Sequence, residues 1–318
     1  YQGRQTASAF VPPQRLELGQ TYYWRVDEVN SVEAGSPWKG QVWSFTVEPF
    51  SYPIQNITAR ASSQSRGDTG PQNTVNGSGL NAADQHSVEL TQMWMSGNEK
   101  PHWIQYEFDK VYKLDQLWVW NSNQIVEAFV GFGAKDVTIE YSVDGQTWTT
   151  LEGVPEFARA SGTATYAANT FVDFGGVEAK YVKLTINSNW GGIAQQTSLS
   201  EVRFFYVPVQ AFLPVPAAGA TGVSVTASLD WRPGREAVSH KVLFGADREA
   251  VAAGTAPAVS VAGHGYTPAA MNLDTEYFWR VDSIGEAGTY EGDVWSFRTQ
   301  EYLVVDDFEA YTDAEGSR

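Results

Sequence analysis

Val137-Thr138-Ile139-Glu140-Tyr141-Ser142-Val143-Asp144-Gly145-Gln146-Thr147-Trp148 sets the reading of the fold. Val137 to Ser142 alternates apolar and polar side chains, the two-residue period of a strand with one buried face. Asp144 and Gly145 end it as a turn, and Trp148 to Leu151 begins the next strand. Short runs of this kind, bounded by Gly, Asn, Asp and Pro, recur along the chain while helical periodicity is scarce, so the chain is expected to be all-β. The other strand candidates around this stretch are Ile57 to Ala61, Trp103 to Phe108, Leu114 to Trp120, Thr170 to Phe174, Tyr181 to Asn187 and Leu199 to Tyr206. Strands in this number, with loops gathered at two ends, describe a jelly-roll-like β-sandwich over residues 50–207.

Outside that segment the sequence repeats itself. Tyr22-Tyr23-Trp24-Arg25-Val26-Asp27 returns as Tyr277-Phe278-Trp279-Arg280-Val281-Asp282, and Val42-Trp43-Ser44-Phe45 returns as Val294-Trp295-Ser296-Phe297. Such a repeat marks one module used twice. Thr21 to Val26 with Gln41 to Val47, and Glu276 to Val281 with Asp293 to Thr299, read as hairpins. The second copy adds the strands Ser228 to Trp231 and His240 to Phe244. Residues 208–300 therefore read as a complete Ig-like or fibronectin type III-like sandwich. Residues 1–49 read as the C-terminal half of the same module, with Phe10 to Pro13 aligned on Gly265 to Pro268. The missing strands are expected from upstream sequence, from a neighbouring chain or from packing on the middle segment. Residues 301–318 read as the start of a further domain or as a tail. Trp103, Trp118, Trp148, Trp231 and Trp279 lie on strand patterns and are expected in cores, with Trp120 buried on the face of Trp118.

The 318 residues carry a formal net charge of -16 with a pI near 4.6. A field of that sign repels phosphate, which disfavours nucleic acid and anionic membranes as partners. Cysteine is absent, so disulfides and thiolate metal sites are excluded. No apolar run approaches the length of a bilayer span, so no membrane insertion is expected. No signal peptide is visible at Tyr1, and the chain reads as a fragment of something longer.

The phrases of the middle segment, in order, resemble the discoidin domain, also called the coagulation factor type C domain, which includes carbohydrate-binding module family 32. They are Ala59-Arg60-Ala61-Ser62-Ser63, Asn73-Thr74-Val75-Asn76-Gly77, Trp103-Ile104-Gln105-Tyr106-Glu107-Phe108 and the opening stretch from Val137 to Trp148. Ala179-Lys180-Tyr181-Val182-Lys183-Leu184 and Leu199-Ser200-Glu201-Val202-Arg203-Phe204 complete the set. Together with the fibronectin type III-like flanks, the arrangement is similar to large secreted proteins of planctomycete-type bacteria. The resemblance implies a discoidin-like jelly roll flanked by Ig or fibronectin III-like sandwiches. It also implies a secreted, extracellular or cell-surface location and a glycan or polysaccharide partner, bound through loops at one end of the sandwich.

Sugar sites pair a flat aromatic ring with amides or carboxylates. Trp190 lies in the Gly- and Asn-rich loop Asn187-Ser188-Asn189-Trp190-Gly191-Gly192 and is expected to be exposed, either for stacking on a sugar or for loop packing. Asn121, Asn123 and Gln124 follow a strand after which, in the family, residues enter the ligand pocket. That family position often carries a basic residue, and amides stand here instead, which puts galactose-type specificity in question. Gln195 is a further expected hydrogen-bonding partner. The insertion Ser78 to Ser96, with His86, Glu89, Gln92, Trp94 and Met95, is expected to wall a cleft, with Trp94 either in the site or anchoring the loop. His86 reads as a surface hydrogen-bonding residue. Phe129 and Phe132 read equally as an exposed platform or a core plug.

The resemblance also implies a structural calcium ion. In the family, a loop near the first strand carrying a Val-Asp-Gly-like phrase meets a Glu near the last strand. The matching residues here are Asn76 and Glu201, with Asn73 and Ser78 supplying further oxygens; Asn in place of Asp removes one charge and weakens the site. The four histidines are scattered, and no His-x-Glu, Gly-x-Ser-x-Gly, His-Glu-x-x-His or phosphate-loop motif occurs. The expected function is a non-catalytic extracellular glycan-binding module of a larger protein. The alternatives are a structural or adhesive matrix protein assembling through its sandwiches, and an accessory part of a carbohydrate-active enzyme.

Overall fold

The structure is a computed structural model and describes residues 1–14 and 16–303. It divides into two compact units, Tyr1–Val207 and Pro208–Arg318. Most of the expected tail beyond Gln300 lies outside the described residues.

The first unit opens with a two-stranded hairpin, β1 (Thr21–Trp24) and β2 (Trp43–Thr46). The strands that follow are β3 (Tyr52–Pro53), β4 (Ile57–Ala61), β5 (Gln85–His86), β6 (Trp94–Met95), β7 (His102–Asn121), β8 (Val137–Ser142) and β9 (Thr149–Thr150). They end with β10 (Tyr166–Ala167), β11 (Thr170–Asp173), β12 (Glu178–Ile186) and β13 (Ser198–Tyr206). The long β7 joins the two layers. Its first half, Trp103 to Phe108, lies between β4 and β12, and β8 pairs with the far edge of β12. Its second half, Leu117 to Val119, lies between β11 and β13. This is a jelly-roll β-sandwich.

Period-two alternation fills the space between the layers. Ile104, Tyr106 and Phe108 from one half of β7 meet Leu117 and Val119 from the other, with Phe157, Phe174, Val182, Leu184 and Phe204. Tyr106 and Phe108 each pack edge-on against Phe204, with ring centroids 5.1 and 5.2 Å away. Because Leu117 and Val119 face this core, their neighbours Trp118 and Trp120 face outward. Trp120 is nevertheless buried, in a satellite cluster with Ala160 and Tyr166. Trp103, Trp118 and Trp148 are only half-buried, contrary to the core position expected of them: Trp103 and Trp118 lie on the outer face of β7, and Trp148 precedes β9 with Lys183 Nζ 5.4 Å from its ring centroid.

The second unit is a separate sandwich. Strands β14 (Phe212–Val215), β16 (Leu229–Arg232) and β19 (Gly265–Tyr266) form one sheet, and β15 (Ala220–Val223) pairs with β22 (Trp295–Thr299) in the other. That second sheet runs β15, β22, β20 (Glu276–Gly285), β17 (Ser239–Gly245) and β18 (Ala258–Val261), with β21 (Gly288–Tyr290) paired to β20. Trp231, Trp279, Trp295 and Phe297 are buried between the sheets.

Candidate functional site

Antiparallel pairing brings many of the first unit's loops to one end. Ile186 of β12 pairs with His102 of β7, Val137 of β8 pairs with Ile186, Leu199 of β13 pairs with Asn121, and Thr170 of β11 pairs with Val119. The segments 122–136, 158–169, 187–197 and 96–101 therefore share this end. Two of them are locked together. Trp190 N donates to Gly133 O at 3.0 Å, Gly191 N to Gly131 O at 2.8 Å, and Ser198 N to Phe132 O at 2.9 Å.

The locked loops hold apolar side chains in water. A short helix, Glu127–Val130, presents Phe129 at 87% exposure, with Ile125 and Val126 exposed just before it. Ile193, on the facing loop, is 92% exposed. Trp190 is half-buried rather than free: its indole N–H donates to Phe157 O at 2.9 Å, and Lys135 Nζ lies 5.3 Å from the ring centroid. Glu127 fixes the turn from inside. Its Oε1 accepts from Gly133 N at 2.9 Å, its carbonyl accepts from Arg159, and burial raises its carboxyl above the usual range. Beside this platform is a shallow groove of about 200 Å³ lined by Lys100, His102, Asn187, Gly192, Gln195 and Thr197, among others. Lys100 and Gln195 are exposed there, and the Gln195 carbonyl lies 2.7 Å from His102 Nε2.

The structure corrects the expected ligand role of several residues. Asn121 is fully buried. Its Nδ2 donates to Ala134 O and Ala158 O at 2.7 and 2.9 Å, and its Oδ1 accepts from Ser122 N. Asn123 is equally buried, its Nδ2 set against the carbonyls of His86, Ser87 and Thr163, and its Oδ1 accepts from Gly162 N. Amides so engaged satisfy loop backbone rather than sugar hydroxyls. Gln124 is buried, with Nε2 3.3 Å from Ser122 Oγ. Trp94 is buried in the core and donates to Ser63 O at 2.9 Å, so it anchors the insertion. His86 is buried too, contrary to the surface position expected of it. Trp190, Gln195 and Phe129 remain at the surface of the loop end. Sequence reasoning missed Ile125, Val126, Ile193 and Lys100. The available signal was an aliphatic residue in a Gly-rich loop with no strand period to bury it.

The residues expected around calcium divide. Glu201 is buried, its Oε1 accepts from Gly77 N at 3.3 Å, and its Oε2 has no partner among the described residues. Burial pushes its carboxyl up to about 8, so an ionised Glu201 wants a cation. Gly77 carries the Asn76 turn to this carboxylate, and Asn76 Oδ1 accepts from Ser78 N at 2.9 Å. Asn73 is held in place through its amide nitrogen. Its Nδ2 faces the carbonyls of Asp68, Thr91 and Met93 at 2.9, 3.0 and 2.9 Å, cross-bracing the loop. The Ser78 side chain is exposed. Among the described residues no three His, Asp or Glu side chains come together.

The family profile of the F5/8 type C domain matches residues 58–201. This segment is an F5/8 type C domain. Solved structures similar to the chain include a family 32 carbohydrate-binding module, CBM32-3, from a family 31 glycoside hydrolase of Clostridium perfringens. It is 19% identical over 49% of this chain and 95% of that one, with a TM-score of 0.37. The family 32 module of C. perfringens NanJ, solved with galactose, is 16% identical over 49% and 98% of the two chains, at a TM-score of 0.36. A family 89 glycoside hydrolase from C. perfringens is 16% identical over 48% of this chain, at a TM-score of 0.33, and the chain spans 14% of that enzyme. No curated protein matches the chain. Among the described residues of both units, no helix is long and apolar enough to cross a membrane.

Proposed function

We propose that the F5/8 type C domain is a non-catalytic glycan-binding module of an extracellular multidomain protein. The observation that carries this reading is the platform at its loop end. Phe129 and Ile193 stand in water on loops clamped by backbone hydrogen bonds, and the half-exposed Trp190 beside them has its ring direction fixed by Phe157. Rigid apolar surface of this kind suits the apolar face of a pyranose, and the Lys100 ammonium and Gln195 amide next to it suit hydroxyls. The net charge of -16 favours a glycan without a dense run of anionic groups. Asn121 and Asn123, the polar residues expected in the site, are committed to backbone groups, which supports recognition through the exposed platform. The reading includes one calcium ion held by Glu201 and the Asn76 turn, with a structural role.

The test is a glycan array with wild type, Trp190→Ala and Phe129→Ala. Wild type is expected to retain a subset of glycans, and each variant to weaken that binding by roughly tenfold, ~1.4 kcal/mol. Binding to no glycan, or binding unchanged in both variants, overturns the reading.

A further inference from the structure

We infer that residues 16–48 are the closing half of a β-sandwich whose other half is a segment of the same repeat type, carried on the polypeptide ahead of Tyr1. The two copies of the hairpin share their register and their main side-chain contacts. Tyr22 pairs with Phe45 and Trp24 with Trp43, as Tyr277 pairs with Phe297 and Trp279 with Trp295. Ring centroids are 6.0 and 4.7 Å apart in both copies. Arg25 Nε meets Asp27 Oδ1 at 2.7 Å where Arg280 Nε meets Asp282 Oδ1 at 2.8 Å. Gly40 N donates to Asp27, and Gly292 N to Asp282, both at 3.2 Å. The Tyr22 hydroxyl accepts from Glu17 N at 3.0 Å and the Tyr277 hydroxyl from Asn272 N at 2.9 Å, the corner contact of Ig-like sandwiches.

The covering differs. Trp24, Trp43 and Phe45 are 50, 45 and 45% exposed, whereas Trp279, Trp295 and Phe297 are 0, 8 and 1% exposed. The second copy shows what is absent from the first. Along β20 runs β17, with Phe244 opposite Trp279 and stacked 5.0 Å from Tyr277, and Trp231 of the other sheet lies 6.2 Å from Trp279. Among the described residues, β1 pairs with β2 alone. A hairpin with a bare aromatic face and a bare edge is not stable by itself. The occupant that fits is therefore a strand antiparallel to β1, bearing an aromatic residue opposite Trp24, with a second sheet over the two tryptophans. In the second copy these pieces immediately precede the hairpin, and Phe10 to Pro13 stands where Gly265 to Pro268 leads out of them. That order places the complement upstream on the same polypeptide.

The experiment compares the 318-residue chain with one extended upstream by the natural stretch equivalent to Ala211–His264, following hydrogen exchange of Thr21–Trp24 and Trp43–Thr46. Extension is expected to slow exchange by at least about tenfold. Unchanged exchange overturns the inference, as does protection of the 318-residue chain that rises with its own concentration, the sign of a second copy. A further measurement does not depend on the extended chain folding. In the 318-residue chain, Trp24→Ser with Trp43→Ser is expected to leave Tm nearly unchanged, while Trp279→Ser lowers it strongly. An equal loss in both overturns the inference by showing that the first face is already covered.

Discussion

Gly191 and Gly131 face each other across a contact too close for any side chain. The amide of Gly191 donates to the carbonyl of Gly131 at 2.8 Å, and a Cβ on Gly191 would stand 1.7 Å from Val130 O. Gly131 itself has φ +70°, and its Cβ would lie 2.4 Å from Gly191 N. These two glycines bring the Phe129 helix against the Trp190 loop. Gly191→Ala is expected to destabilise the F5/8 type C domain by about 1–3 kcal/mol through overpacking. It should also weaken glycan binding by more than the stability loss explains, because the two halves of the platform separate. Denaturant melts and binding titrations on the same sample check this. A variant with wild-type binding would show that the loops need not touch.

Asn123 is expected to behave as a structural residue. Truncation to Ala leaves the carbonyls of His86, Ser87 and Thr163 and the amide of Gly162 without their partner, in a buried place. Each unsatisfied group costs about 1–3 kcal/mol, so Asn123→Ala should lose at least ~3 kcal/mol. Urea unfolding reads it. A fully stable variant with altered sugar preference would return Asn123 to the ligand site.

Asn123 also shows what the sequence could and could not reveal. The strand ending at Trp120 places the following residues at the loop end, and the period of β7 and β12 is enough to assemble the sandwich around Ile104, Phe108 and Leu184. Whether an amide faces a ligand or its own backbone is not periodic. It depends on how many loop carbonyls lack a partner, which only the fold decides. For the same reason Trp118 reads as core from its strand yet lies on the outer face, since alternation gives two faces without saying which is inward. Ile193 belongs to no strand period, and the only sign of its exposure is its place in a Gly-rich loop that offers nothing to bury it.

Calcium is expected to act through Glu201. Its open Oε2 is buried, and a divalent cation beside it would offset the burial of the charged form. With one carboxylate and neutral oxygens the affinity should be weak, about 1 mM, in the range of extracellular modules. At pH near 8, about 10 mM calcium should raise Tm by roughly 2–4 °C over chelator by mass action. Glu201→Gln should abolish the shift. No shift in wild type, or the same shift in the variant, would remove the ion from Glu201.

His86 sets an acid limit on the insertion that packs under the loop end. Its Nδ1 lies 2.9 Å from Ser87 O and donates to it, which leaves Nε2 as the unprotonated nitrogen. Nε2 has no partner among the described residues and is packed against Gly79, where a Cβ would lie 2.1 Å away. A proton there would be a buried charge without an acceptor, and burial accordingly holds the His86 pKa below its ordinary 6.5. The sign follows from linkage. Above 6.5 the imidazole is neutral in the folded and unfolded chains, and its contribution to stability is fully present. As pH falls below 6.5 the unfolded chain takes up a proton that the folded chain refuses, so stability drops until the folded pKa is passed. Melts from pH 8 to pH 5 should therefore fall more steeply for wild type than for His86→Gln, which cannot take the proton. Parallel curves would show that the acid sensitivity belongs to other groups, and that the insertion tolerates a charged His86.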